Sequence, residues 1–226
     1  MVNYKDYQPK NTSRVREDIE WSETYNFHAT DTKSPRVLLI GDSICNGYHN
    51  DVRSLLEGTC NLSFWASSKC VTDPDYFREL DFILDSYKYD IISFNNGLHS
   101  LTTDILEWET AYRSVVNFIS DKLPKTKLYL TLSTPLMDAK LTAISAKLNE
   151  IVKSIASEKN LPIIDLFTPM DKRDRNTDWL DTYHFLPHAI QEQAEIISDT
   201  VKKELGNRAV NVGHAKTATG PSGALD

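Results

Sequence analysis

The sequence predicts a single α/β domain built on one parallel sheet, and three observations carry that expectation. Five short apolar runs rich in β-branched and aromatic residues recur at 37–40, 62–66, 90–94, 128–132 and 162–166. Between them lie stretches with the 3.6-residue apolar period of amphipathic helices. The chain has 226 residues and no internal repeat, an ordinary length for one domain and enough to bury a substantial core. Strands covered on both faces read as continuous apolar runs, and parallel neighbours need a crossover, which is right-handed. The expected architecture is therefore a three-layer α/β/α sandwich around a five-stranded parallel sheet.

Taken in order, residues 1–34 are polar and irregular, with Trp21, Tyr25 and Phe27 as apolar anchors. They predict a strap docked on the core rather than an independent unit. The main α/β body follows at 35–206. Helical periodicity is visible at 52–56, 76–87, 104–122, 139–159 and 189–205. In the third of these Ile105, Trp108, Tyr112, Val115, Val116 and Ile119 fall on one stripe. Residues 207–226 end in a small, polar, patternless stretch that predicts a flexible tail. Ligands of such sheets bind beyond the carboxyl ends of the strands. Gly41–Ser43, Asn95-Asn96-Gly97 and Ser133-Thr134-Pro135 all follow strand ends and converge on one rim.

Composition narrows the function classes. With 25 Lys and Arg against 32 Asp and Glu, the net charge is −7, which argues against nucleic acid or an anionic membrane as the main partner. A 40% hydrophobic and 25% charged composition fits a soluble globular protein. No run approaches the roughly 18 apolar residues of a membrane span, and Met1-Val2-Asn3-Tyr4 opens no apolar leader. A cytoplasmic location is the expectation, with export open if a leader has been removed. Cys45, Cys60 and Cys70 cannot all pair and match no zinc spacing, so reduced thiols with at most one bridge are expected.

The chemistry starts at Gly41-Asp42-Ser43, directly after Val37-Leu38-Leu39-Ile40. A serine that leaves a buried strand and opens a helix presents its hydroxyl at the sheet rim, beside free helix amides suited to an anion. It can equally be a helix N-cap. About 140 residues later, Asp181-Thr182-Tyr183-His184 places a carboxylate and an imidazole three positions apart. Aspartate can fix the tautomer of such a histidine, and histidine can take the proton of a serine. Serine nucleophile, histidine base and aspartate orienter are thus Ser43, His184 and Asp181, against a surface histidine beside a capping aspartate.

Several residues carry weaker readings. Asp42 follows a strand as a phosphatase nucleophile does, but the second aspartate of that chemistry is missing. His184 and His188 have metal-pair spacing, yet Pro187 lies between them and no matching carboxylate motif accompanies them. Cys45 reads as a buried structural thiol. His99 either lines the cleft or caps the following helix. Trp65, Tyr48 and Trp179 form either an aromatic wall for a sugar or part of the core.

Gly41-Asp42-Ser43-Ile44 and Asp181-Thr182-Tyr183-His184 together resemble the two end blocks of the SGNH (GDSL-type) hydrolase superfamily, over residues 35–205. The resemblance implies a flavodoxin-like three-layer fold, a Ser–His–Asp triad, and an oxyanion hole of serine amide, glycine amide and asparagine side chain. It makes Asp42 a structural residue of the first turn, and Thr134-Pro135 is also similar to the family. Two departures stand out. The third block, usually Gly-x-Asn-Asp, is here Asn95-Asn96-Gly97-Leu98, so the donor is Asn96 or, nearly as well, Asn95. The second block has Ala66-Ser67-Ser68-Lys69 and no glycine, leaving Ser67 or Ser68 as amide donors. The implied activity is hydrolysis of short-acyl esters, acetate on a carbohydrate above all, with no metal or organic cofactor. A lysophospholipase or thioesterase, or a non-catalytic carbohydrate-binding protein of the same fold, are the alternatives.

Overall fold

The structure is a computed structural model that describes residues 2–217, with side chains described for residues 2–207. Its sheet has six strands in the order β1-β3-β2-β4-β5-β6. They are β1 (Ser22–Asn26), β2 (Arg36–Gly41), β3 (Asn61–Ser67), β4 (Ile91–Phe94), β5 (Lys127–Thr131) and β6 (Ile163–Ile164). The five expected strands are all present and mutually parallel. The sixth, β1, comes from the strap and adds to the edge antiparallel to β3, with Ser22 opposite Ser67 and Asn26 opposite Ser63. Sequence periodicity misses it because Ser-Glu-Thr-Tyr-Asn is polar and largely exposed. Its backbone pairing, rather than apolar burial, defines it, although Trp65 Nε1 donates to Ser22 Oγ at 2.9 Å.

The helices are α1 (Ser43–Leu55), α2 (Pro74–Ser86), α3 (Ile105–Lys122), α4 (Ala139–Lys159), α5 (Phe167–Asp171) and α6 (Pro187–Thr217). Helix α1 starts well before the 52–56 pattern, its buried stripe running from Ile44 and Cys45 through Tyr48 and His49 to Val52. Three helix starts are set by aspartate side chains that accept from first-turn amides: Asp42 for α1, Asp104 for α3 and Asp138 for α4. Helix α4 ends at Asn160, which takes the left-handed conformation (φ 52°) that closes a C-terminus. The sequence pattern ends the last helix at 205, but α6 continues to Thr217. The remainder of the expected flexible tail, 218–226, lies outside the described residues. Among the described residues, no helix is long and apolar enough to cross a membrane.

Alternate residues of each strand feed opposite layers, as strand geometry requires. Leu38, Ile40, Phe94 and Leu130 pack under α2, α3 and α4, while Val37, Leu39, Phe64 and Tyr129 pack under α1 and α6. The expected aromatic wall belongs to this core: Trp65, Tyr48 and Trp179 are all at least 95% buried. Cys45, Cys60 and Cys70 are buried free thiols. Among the parallel strands, β2 lies between β3 on one side and β4 on the other, so the chain reverses its winding direction there. Crevices open at such a switch point, beyond the carboxyl ends of the strands.

The strap is held to the body by a buried charge. Arg14 Nη1 lies 2.5 Å from Asp73 Oδ2, with the two side chains 2% and 0% exposed, and Arg14 Nη2 donates to Ser68 O at 2.8 Å. Burial raises the Asp73 carboxyl above its usual range, and Arg14 pulls the other way. Removing one partner of such a pair leaves an uncompensated buried charge. Arg14→Met should therefore lower the unfolding free energy by about 3 kcal/mol in urea denaturation.

Candidate active site

The first side chain is placed by the β2–α1 turn. Strand β2 ends at Gly41, Asp42 caps the helix by accepting from Ile44 N at 3.0 Å, and Ser43 is the first residue of α1. The turn is so tight that a Cβ on Gly41 would sit 2.5 Å from Cys45 Cβ, so only glycine fits. The Ser43 amide thereby belongs to the free N-terminus of a helix, where the dipole and unpaired N–H groups favour negative charge. Cys45 lies beneath this turn, and burial pushes its thiol well up, which suits a packing residue rather than a nucleophile.

The second segment is a compact loop before α6. Trp179 and Phe185 form a β-bridge with ring centroids 4.5 Å apart, and Leu186 N donates to Asp178 O at 2.9 Å. Within this clamp the Asp181 carboxylate accepts from the amides of Tyr183 (2.7 Å) and His184 (2.8 Å). Met137 N donates to Thr182 O at 3.0 Å, tying the loop to the rim after β5. His184 is consequently held with Nδ1 2.9 Å from Asp181 Oδ2 and Nε2 2.8 Å from Ser43 Oγ. A carboxylate only accepts, so Nδ1 carries the ring proton and Nε2 is left to accept from the serine hydroxyl.

The Asp181 carboxyl lies below the usual carboxylate range. Burial alone would raise it, but the hydrogen bonds from the His184 ring and the Tyr183 and His184 amides outweigh that effect. Its charge is available to an imidazolium on His184. His188 is turned away to Asp178, with Nε2 3.0 Å from Oδ1. Among the described residues, no group of three His, Cys, Asp or Glu side chains could hold a metal ion.

The oxyanion donors expected from the middle blocks are arranged otherwise. Asn96 is 2% exposed, donates from Nδ2 to Lys69 O at 2.9 Å and accepts at Oδ1 from Val71 N at 3.1 Å. Asn95 Nδ2 donates to Thr131 O (2.8 Å) and Ser133 Oγ (3.0 Å). Both side chains brace the rim from within. The Ser68 amide is spent on Trp21 O at 3.1 Å, its hydroxyl serves the strap through Glu20 and Trp21, and the Ser67 hydroxyl accepts from Lys69 N. Of the expected donors, the Ser43 amide keeps a position at the helix N-terminus beside the hydroxyl. Thr134 is buried, its carbonyl held by Ser145 Oγ at 2.9 Å, so the Thr-Pro turn shapes the rim.

Ser43 and His184 open on a cavity of about 520 Å³. The strap forms one wall with Arg14, Glu17 and Trp21, and the rim after β4 contributes Leu98 and His99. Neither Asn95 nor Asn96 borders it. His99 reaches the cavity because the chain beyond β4 passes through Gly97, where a Cβ would lie 1.9 Å from Ser133 Oγ, into the 3₁₀ turn Leu98–Ser100. Sequence reasoning left His99 between cleft and cap; the structure puts it on the cleft. Trp21 and Tyr183 are the aromatic residues on the cavity. Neither was separable in the sequence from an anchor or a loop residue, because the strap and the His184 loop meet only in three dimensions.

No family model matches the sequence, and no curated protein matches it. Similarity to solved structures is extensive. An acetyl xylan esterase superposes with a TM-score of 0.62 at 18% identity, covering 74% of this chain and 99% of that one. Axe2, an acetylxylan esterase from Geobacillus stearothermophilus, gives 0.60 at 19% identity over 76% and 94% of the two chains. A GDSL-like lipase from Bacteroides thetaiotaomicron gives 0.57 at 14% identity over 76% and 88%. At these identities the likeness is one of fold. The chain has the three-layer α/β/α fold found in GDSL-like lipases and acetyl xylan esterases, in accord with the resemblance carried by Gly41–Ser43 and Asp181–His184.

The close approach at Gly41 has a measurable consequence. Gly41→Ala should lower the unfolding free energy by about 1–3 kcal/mol in urea, the usual cost of overpacking a rigid site.

Proposed function

We propose that the protein is a serine esterase that hydrolyses short-acyl esters, acetyl esters of carbohydrates above all, through Ser43, His184 and Asp181. The observation that carries this reading is the continuous hydrogen-bond chain from Asp181 through His184 to Ser43 at the wall of the cavity. His184 Nε2 takes the hydroxyl proton as Ser43 Oγ attacks the ester carbonyl. The Ser43 amide, at the positive end of α1, stabilises the developing oxyanion. Collapse of the tetrahedral intermediate breaks the ester bond; His184 returns the proton to the departing alcohol, and an acyl-serine remains. Water then attacks with the same histidine as base. Asp181 stays ionised and holds the ring throughout.

The acetyl and carbohydrate parts of this reading are supported by the acetyl xylan esterases among the structural neighbours and by Trp21 and Tyr183 on the cavity. Aromatic faces suit the C–H faces of sugars. A second reading, lysophospholipase or thioesterase action, is favoured by one feature: Leu98, Leu101 and Leu141 also line the cavity and could hold a longer acyl chain.

Ser43→Ala should abolish hydrolysis of p-nitrophenyl acetate and labelling by a fluorophosphonate probe while leaving the unfolding curve in place. Labelling that survives the substitution would refute the nucleophile, and a wild-type protein that is never labelled would favour the non-catalytic alternative. Rates on p-nitrophenyl acetate, butyrate and octanoate should fall with acyl length; a rise toward octanoate would favour the second reading.

The pH dependence follows from the base. A protonated base cannot accept the Ser43 proton, so kcat/KM should rise from acid pH and then level off. Because the Asp181 carboxyl lies below the usual carboxylate range, it is already ionised there and adds no second limb above about pH 5. Rates on p-nitrophenyl acetate from about pH 5 to about pH 9 read this directly.

A further inference from the structure

One ring nitrogen at the wall of the cavity has no hydrogen-bond partner. His99 sits on the 3₁₀ turn after β4, its side chain 12% exposed, and lines the cavity together with Ser43, His184 and Trp21. Its Nδ1 lies 2.5 Å from Glu17 Oε1 of the strap. Its Nε2 is buried and has no hydrogen-bond partner. A histidine that merely fastened the strap would need only the Glu17 contact, and burying the second nitrogen unpaired would be an unrecovered cost.

The chemistry of that nitrogen follows from its neighbour. Glu17 accepts, so Nδ1 carries a proton, and in the tautomer this selects Nε2 presents a lone pair. A group bound there must bring an O–H or N–H. An acetyl group has neither, so the donor belongs to the alcohol half of the ester. Trp21 stands edge-on to His99, ring centroids 6.3 Å apart, and supplies an apolar surface beside the acceptor. An apolar face next to a single buried acceptor matches a polyhydroxy ring, with C–H bonds on one side and hydroxyls at its edge.

Resting on the esterase reading, we propose that His99 is the specificity-determining residue for the alcohol half of the substrate: Nε2 accepts a hydrogen bond from a hydroxyl near the scissile ester, and Glu17 is the positioning residue that holds the tautomer. A site built around a hydrogen bond to a substrate hydroxyl discriminates strongly against analogues lacking it.

The test compares a monoacetylated methyl xyloside with p-nitrophenyl acetate, whose alcohol half has no free hydroxyl. In His99→Phe the ratio of kcat/KM for the sugar ester to that for p-nitrophenyl acetate should fall by about tenfold or more, the usual effect of losing one buried hydrogen bond. His99→Gln, which retains an acceptor oxygen, should restore part of the ratio. Glu17→Ala, which leaves the ring in place, should lower it in the same direction. A ratio unchanged in all three variants, whether both rates fall or neither does, overturns the role of His99. A wild-type protein inert toward both esters and unlabelled by fluorophosphonate instead overturns the esterase reading, and this inference with it.

Discussion

The hydrogen bond between Ser43 Oγ and His184 Nε2, 2.8 Å long, joins residues 141 positions apart and brings the β2–α1 turn together with the loop before α6. Neither partner is held by the bond itself. Ser43 is fixed by the Gly41 turn, which brings α1 against the end of β2 more closely than any side chain would permit. His184 is fixed by the Trp179–Phe185 bridge and by two amides that saturate one oxygen of Asp181. The contact is therefore made between two locally rigid segments, and little ordering is left to complete when a substrate arrives. Preorganisation of this kind is what lets a neutral serine act as a nucleophile at modest cost.

The strap gives this fold its individual character. It adds a strand to the sheet edge and then occupies the segment after β3. The Ser68 amide, hydroxyl and carbonyl all serve Trp21, Glu20 and Arg14. The chain thus uses the backbone after β3 to seat its N-terminal segment. In the same arrangement Asn96 turns inward to hold Lys69 and Val71, bracing the segment from below. What the cavity receives in exchange is Trp21, Glu17 and, through Gly97, the ring of His99. The strap thus acts as a wall of the site, and the buried Arg14–Asp73 pair that anchors it bears on the shape of the cleft as well as on stability.

Much of this was legible in the amino-acid sequence, for local reasons. The five parallel strands announce themselves because burial on both faces demands unbroken apolar runs. The long helices α3 and α4 announce themselves through their apolar period, most plainly in the stripe of α3. The pairing of Asp181 with His184 is a three-residue matter, within the reach of one turn. The strand β1 was hidden, since a polar, exposed edge strand is defined by the neighbour it pairs with. Trp65, Tyr48 and Trp179 were ambiguous for a related reason: an aromatic side chain reads alike whether its ring faces a sugar or a helix.

The sequence by itself determined the five parallel strands and the helices between them, the placement of Ser43 at a strand end, and the local pairing of Asp181 with His184, because those features follow from periodicity and short-range hydrogen bonding. Only the tertiary structure decided which polar groups after β3 and β4 face the cavity. Asn96 and Asn95 turned inward and His99 outward because carbonyls left unpaired where the strands end must be satisfied, and amide side chains meet that need better than imidazole. That choice is made by the sum of buried hydrogen bonds across segments distant in the chain, which no local pattern records.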